Sequence, residues 1–245
     1  MVSFTFSILY MKKIIIASTS TLYGSGYLEY LLNELSLFFK HSKTIVFVPY
    51  ARPSGILHDD YTQIAAKAFA KLNKTVTGLH TFKDPKKAIL DAEGIFVGGG
   101  NTFVLLNQLY QLNILTALKQ HITHGVPYLG TSAGSNICGL SIKTTNDMPV
   151  VYPPSFNALG LVPFNLNPHY LDPIKNTTHM GETRETRIKE FHIYNTQPVV
   201  GLREGSWLHV EDTNITLKGI PTARIFEQNK LPYEVETGTQ LNGLN

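Results

Sequence analysis

The sequence predicts an α/β protein built on a doubly wound, mostly parallel sheet, and three observations carry that prediction. Short apolar runs without alternation recur at 14–17, 44–48, 94–97 and 127–130, as expected of strands covered on both faces. Between them lie stretches with helical spacing at 27–39, 59–72 and 102–118, and a βαβα alternation of this kind builds a parallel sheet. Of the 245 residues 43% are hydrophobic and only 16% charged, which supplies enough apolar surface for such a core and argues against disorder.

In chain order, Ile14-Ile15-Ile16-Ala17 is the first buried strand, and Leu28, Leu31, Leu32 and Leu35 give the helix after it an apolar stripe. The run 44–48 is the second strand. The helix after it carries Ile64, Ala65, Ala68, Phe69 and Leu72 inward and opens on Asp59 and Asp60, whose carboxylates offset the helix dipole. The third strand, 94–97, runs through Gly98-Gly99-Gly100 into a helix starting at Thr102. The fourth ends in Gly130-Thr131-Ser132-Ala133-Gly134 and a short helix reaching Cys138, a small core residue. Beyond Gly139, prolines at 149, 153, 154, 163, 168 and 173 break any long helix, so this stretch is loop-rich. One more helix fits 181–191, and strand-like pieces near 199–200, 207–210, 215–217 and 223–226 form a small antiparallel C-terminal edge.

No repeat, low-complexity segment or Gly/Ser-rich linker divides residues 1–245, which are expected to form one α/β domain. The apolar stretch 2–10 is followed, not preceded, by Lys12 and Lys13, and no small-residue cleavage site comes next, which is the wrong order for a secretory signal. The functional chain is therefore expected to begin at Met11, with residues 1–10 a non-essential extension.

Composition narrows the function. With 21 Lys+Arg against 18 Asp+Glu the net charge is +3, and the longest basic clusters are the pairs Lys12-Lys13 and Lys86-Lys87. Neither nucleic acid nor an anionic membrane is an expected partner, because both need a concentrated basic face. A lone cysteine, Cys138, excludes an intramolecular disulfide and a Cys-rich zinc site and points to a reducing compartment, the cytoplasm. There is no His-Glu-x-x-His and no Cys pair, so no metal is expected. The glycine segments lack both the Walker ending and the dinucleotide fingerprint, so no cofactor is expected either.

The chemistry concentrates at Gly130–Gly134. Small residues around a serine between a strand and a helix fit a nucleophile elbow, which presents the hydroxyl at the carboxyl end of the strand. A serine needs a base and an orienting acid. His169, fixed in its approach by Pro168, and Asp147 both lie in the proline-broken region, where loops sit near strand ends. His121 and His124, just before Gly125, fit helix capping instead. Gly98–Gly100, between a strand and a helix, leaves amides free to face an anion. In a serine enzyme these would be an amide near Gly100 and that of Ala133, around the tetrahedral oxyanion.

Five segments in order, Gly98–Phe103, Gly130–Gly134, Thr144–Pro149, Asn167–His169 and His179–Glu185, resemble the peptidase E (α-aspartyl dipeptidase) family of serine peptidases. The resemblance runs from Ile14 to about Phe226. It implies a cofactor-free cytosolic exopeptidase, monomer or homodimer, that hydrolyses Asp-Xaa dipeptides on a fold akin to class I glutamine amidotransferases. Position by position it makes Ser132 the nucleophile, His169 the base and Asp147 the acid, with the amides of Gly100 and Ala133 as oxyanion hole. It makes Arg184 the partner of the substrate aspartate and adds Asn101 and Glu182 to the substrate-binding set. The alternatives are a cyanophycinase-like β-aspartyl peptidase on the same scaffold and a catalytically inactive binding module. An α/β-hydrolase is disfavoured because only fifteen residues separate Ser132 from Asp147, too few for the βα units that precede the acid in that fold.

Overall fold

The structure is a computed structural model that describes residues 11–173, 178 and 180–244; the expected 1–10 extension and His179 lie outside the described residues. Five parallel strands form the main sheet: β1 (Lys13–Ala17), β2 (Thr44–Val48), β3 (Thr75–Gly78), β4 (Ile95–Val97) and β5 (Tyr128–Thr131). Two further strands, β8 (Ser206–Glu211) and β9 (Asn214–Gly219), add antiparallel beside β1, giving the order β3-β2-β4-β5-β1-β8-β9.

Both faces of this sheet are buried, which is why its strands read as unbroken apolar runs. Ile14, Ile16, Val46, Val48 and Val97 pack on one face with α3 (Pro85–Leu90), α4 (Thr102–Gln111) and α5 (Leu115–Thr123). The alternate residues Ile15, Ala17, Ile45, Phe47 and Phe96 pack on the other with α1 (Leu32–Phe38) and α2 (His58–Ala70). The single helix expected over 102–118 is two helices, broken at Asn113 with φ 54°, a left-handed conformation that asparagine tolerates. Besides the strands at Asn165–Pro168 and Tyr233–Val235, two elements escaped the sequence reading. The edge strand β3 is mostly solvent-facing and has no apolar run, and α3 is six residues long, capped by Asp84 with Pro85 in its first turn.

A second sheet holds β6 (Asn165–Pro168), β7 (Val199–Leu202), β10 (Ala223–Phe226) and β11 (Tyr233–Val235) in the order β11-β10-β7-β6. The C-terminal pieces are thus not one meander: 207–210 and 215–217 extend the main sheet, whereas 199–200 and 223–226 belong to the second. Strands of similar length and burial carry no sequence mark of which neighbour they join. β6 and β7 run parallel, with Pro168 beside Leu202, and the residues following both emerge together. The helix expected over 181–191 is α7 (Arg184–Tyr194). No helix among the described residues is long and apolar enough to cross a membrane.

Candidate active site

Ser132 stands where the parallel strands end. The register sets Gly130 beside Val97 and Thr131 beside Ala17, so Ser132, the glycines after β4 and Ser18 after β1 converge on one edge, where open α/β sheets place ligands. Ser132 has φ 54° and ψ −110°, a costly conformation for a residue with a Cβ. Its surroundings hold it there. A Cβ on Gly130 would come within 2.5 Å of the Gly134 carbonyl oxygen, and one on Gly134 would collide with the Val97 carbonyl. The turn can therefore seat α6 (Ala133–Asn136) against β4 and β5 only with glycine at both positions. The Ser132 amide donates to the Ala17 carbonyl at 3.1 Å.

His169 Nε2 lies 2.9 Å from Ser132 Oγ, and His169 Nδ1 lies 2.7 Å from Glu204 Oε1. Both ring nitrogens are taken, and the expected acid, Asp147, is not the partner of either. Its Oδ2 instead accepts from the Thr102 amide at 2.7 Å and from the Thr145 hydroxyl at 3.0 Å. The physical reason is topological: β6 delivers His169 and its parallel neighbour β7 delivers Arg203-Glu204, whereas the 145–148 turn is tied to the start of α4. Sequence reasoning sought the acid between the serine and the histidine. The available signal was Glu204 itself, a carboxylate just past the buried run 199–202.

The His169–Glu204 pair is held from both sides. Ser18 Oγ donates to the Leu202 carbonyl at 2.8 Å and accepts from the His169 amide at 2.9 Å, which supports the positive φ of 54° at His169. Arg203, stacked 5.5 Å from the Tyr170 ring centroid, pairs bidentately with Asp172 and also with Glu234, so the segments after β6 and β7 are clamped together. Burial works against the Arg203 charge, but those two carboxylates overcome it and raise its pKa above the ordinary value.

A cavity of about 240 Å³ opens beside Ser132, lined among others by Ala133, Asn136, Asp147, His169 and Arg184. Gly99 abuts the nucleophile, since a Cβ there would lie 2.9 Å from Ser132 Cβ. The Gly99 amide is spent on the Tyr61 hydroxyl at 2.9 Å. That of Gly100 donates to no protein acceptor among the described residues. The Ala133 amide, first in α6, has no carbonyl within its helix to bond.

Arg184 sits in the first turn of α7, behind the Thr183 cap, and its Nε is buried without a partner among the described residues. Burial pushes its pKa below the ordinary arginine value, with Arg187 adding to the effect and Asp147 opposing it. Two expected substrate contacts are placed elsewhere. Asn101 caps α4 by accepting from the Val104 amide and donates to the Met148 carbonyl, so both ends of its amide are in use. Glu182 is exposed and faces Arg187 at 3.8 Å. Of the other residues singled out, Cys138 is fully buried, and burial pushes its thiol up to about 12 despite a hydrogen bond from Tyr128. His124 Nδ1 lies 2.6 Å from the Gln120 carbonyl at the end of α5, whereas His121 reaches the Ala92 carbonyl instead.

An elbow serine bonded to a histidine that is bonded to a carboxylate is the geometry of serine peptidases, and comparison with known proteins agrees. Residues 14–218 match Peptidase family S51. The chain belongs to this family. It is 46% identical over 232 residues to "Peptidase E" of Streptomyces coelicolor, covering 95% of this chain and 94% of that protein. It is 47% identical over 219 residues to a "Probable alpha-aspartyl dipeptidase" of Drosophila melanogaster, covering 88% and 90%. The fold resembles that of a peptidase from an acI-B1 actinobacterium, with a TM-score of 0.72 at 14% identity over 95% of this chain and 98% of that one. The S51 fold is therefore the α/β, glutamine amidotransferase-like arrangement expected from the sequence.

Proposed function

We propose that this serine-type dipeptidase hydrolyses dipeptides with an N-terminal L-aspartate, Asp-Xaa, through an acyl-enzyme on Ser132. The observation that carries the reading is the hydrogen-bonded chain Ser132–His169–Glu204 opening on a cavity lined also by Arg184, whose Nε has no partner among the described residues. The names of the two relatives point to the same activity. At about 240 Å³ the cavity is smaller than the clefts of about 300–1,000 Å³ that take drug-sized ligands, which suits one small acyl residue.

Ser132 Oγ attacks the aspartyl carbonyl carbon while His169 Nε2 accepts its proton, and Glu204 holds the imidazole in the tautomer that leaves Nε2 free. The Gly100 and Ala133 amides receive the oxyanion, beside the positive end of the short α6. His169 returns the proton to the leaving amine, the C–N bond breaks, and the aspartyl ester on Ser132 remains. Water then attacks that ester with His169 as base, releasing aspartate. Arg184 offers forked donors to the substrate side-chain carboxylate, a geometry lysine does not supply.

A panel of Asp-Leu, Asn-Leu, Glu-Leu and β-Asp-Leu, read for free leucine, tests the reading. Asp-Leu is expected to exceed the others in kcat/KM by about 10² or more, because a neutral or displaced side chain strands Arg184. Faster turnover of β-Asp-Leu or Asn-Leu would replace it.

A further inference from the structure

Freed from the role of triad acid, Asp147 remains in the cavity without an assigned task. Among the described residues only one of its oxygens is used: Oδ2 accepts from the Thr102 amide and the Thr145 hydroxyl, whereas Oδ1 has no hydrogen-bond partner there. The turn that carries it is fixed on three sides. Asn101 Nδ2 donates to the Met148 carbonyl, Asn146 Nδ2 to the Pro168 carbonyl, and Asn167 Nδ2 to both the Thr144 carbonyl and Asn146 Oδ1. So much anchoring exceeds what one helix cap requires and holds the free carboxylate oxygen in place.

Two neighbours sharpen the point. Asn136, one turn after Ser132 on α6, is only 2% exposed, lines the same cavity, and has a buried Oδ1 with no partner among the described residues. Buried amide oxygens are almost always satisfied, so an unpartnered one in a cavity-lining residue calls for a donor that the described residues do not supply. Arg184 lies in that cavity too, yet no ion pair joins it to Asp147 among the described residues. An anion and a cation that line one small cavity without an ion pair between them are complementary to a zwitterion.

We infer that Asp147, with Asn136 beside it, is the receptor for the substrate's α-ammonium group, and so restricts the enzyme to free N-termini. This rests on the Asp-Xaa reading and adds to it: Arg184 reads the side chain, Asp147 the amine. An ammonium carries three donors and no acceptor, which matches a carboxylate oxygen and an amide oxygen and suits neither a hydroxyl nor an acylated nitrogen. An N-acetylated substrate would bring a neutral, bulkier group against the half-buried Asp147 carboxylate.

L-Aspartate and succinate, which differ only in the ammonium, form the test, with dissociation constants measured by titration calorimetry on the intact protein. The wild type is expected to bind aspartate about 10- to 150-fold more tightly than succinate, the range of one charge-assisted hydrogen bond. In Asp147→Asn, which retains an acceptor for the Thr102 amide, the preference should fall to within about three-fold, with succinate affinity held or improved. Arg184→Met should weaken both ligands together. A preference unchanged in Asp147→Asn, or an equal loss of both ligands there, would overturn the assignment by showing that Asp147 serves only the start of α4. Should that variant fail to fold, Asp147→Ser, whose hydroxyl can also cap the helix, reads the same ratio. A wild type that binds neither ligand would overturn the Asp-Xaa reading as well, an outcome distinct from the other two.

Discussion

Replacing Glu204 by glutamine removes a charge and leaves the shape. In the structure Glu204 Oε1 lies 2.7 Å from His169 Nδ1, so the imidazolium formed when Ser132 gives up its proton has an anion in contact. At about 4 Å between charge centres the attraction is roughly 4 kcal/mol at the effective dielectric of a protein surface and roughly 1 kcal/mol in water. With side-chain exposures of 35% for His169 and 49% for Glu204, the value falls between these limits. The lost charge alone is then worth about 10- to 10³-fold, since each 1.36 kcal/mol is tenfold. Glutamine can also donate to Nδ1 and select the wrong tautomer, a change that cost about 10⁴-fold in the serine-protease case. A kcat loss of about 10²- to 10⁴-fold is expected for Glu204→Gln, with unchanged affinity for the product aspartate. A fluorophosphonate that labels Ser132 separates the two carboxylates, because it has no ammonium for Asp147 to bind. Labelling should slow strongly in Glu204→Gln and stay within about three-fold of wild type in Asp147→Asn. The reverse pattern would refute the Ser132–His169–Glu204 chain and return the role to Asp147.

Other substitutions test the remaining parts. His169→Ala should lower kcat by about 10⁴-fold, because the serine proton loses its acceptor; a variant that keeps a tenth of the wild-type rate would remove His169 as base. Arg184→Met should lose about 2–5 kcal/mol of transition-state stabilisation on Asp-Leu and little on Asn-Leu, whereas equal losses in kcat/KM would make Arg184 a structural residue. Gly134→Ala drives a methyl group into the Val97 carbonyl, so about 1–3 kcal/mol of destabilisation is expected, read as a fall in Tm of about 2–4 °C per kcal/mol. Burial alone would raise the Glu234 carboxyl, but hydrogen bonds from Arg203, Thr222 and Arg224 hold it at about 2 against the usual 4.5. A carboxyl with a depressed folded pKa gives stability that is complete above the unfolded value and lost as pH falls through the folded one. Tm should therefore drop between about pH 4.5 and pH 2, and Glu234→Gln should flatten that drop.

The parallel core was legible because residues such as Ile14–Ala17 and Phe96 are buried on both faces, and that double burial writes itself as an unbroken apolar run. The elbow was legible too, since Gly130 and Gly134 are demanded by carbonyls that would collide with any Cβ at either position, so the small residues are forced. Strand partnership was not. Whether 199–200 lies beside 165–168 or beside 207–210 depends on contacts distant in sequence, and the same ignorance hid Glu204, which reaches His169 only through the parallel pairing of β6 and β7. Asn101 and Glu182 fall within family-like segments, yet proximity in sequence to Gly100 and Arg184 does not aim a side chain. Asn101 turns back to cap its own helix, and Glu182 turns out to solvent.

The central claim is that aspartate is carried on Ser132 during turnover. Acid quenching of the enzyme within milliseconds of mixing with an activated L-aspartyl ester, followed by proteolysis and mass spectrometry, observes that intermediate directly. The account predicts an aspartyl adduct on the peptide containing Ser132, accumulating in wild type and absent in Ser132→Ala. An adduct on any other residue, or hydrolysis that persists in Ser132→Ala at a tenth of the wild-type rate, would contradict it.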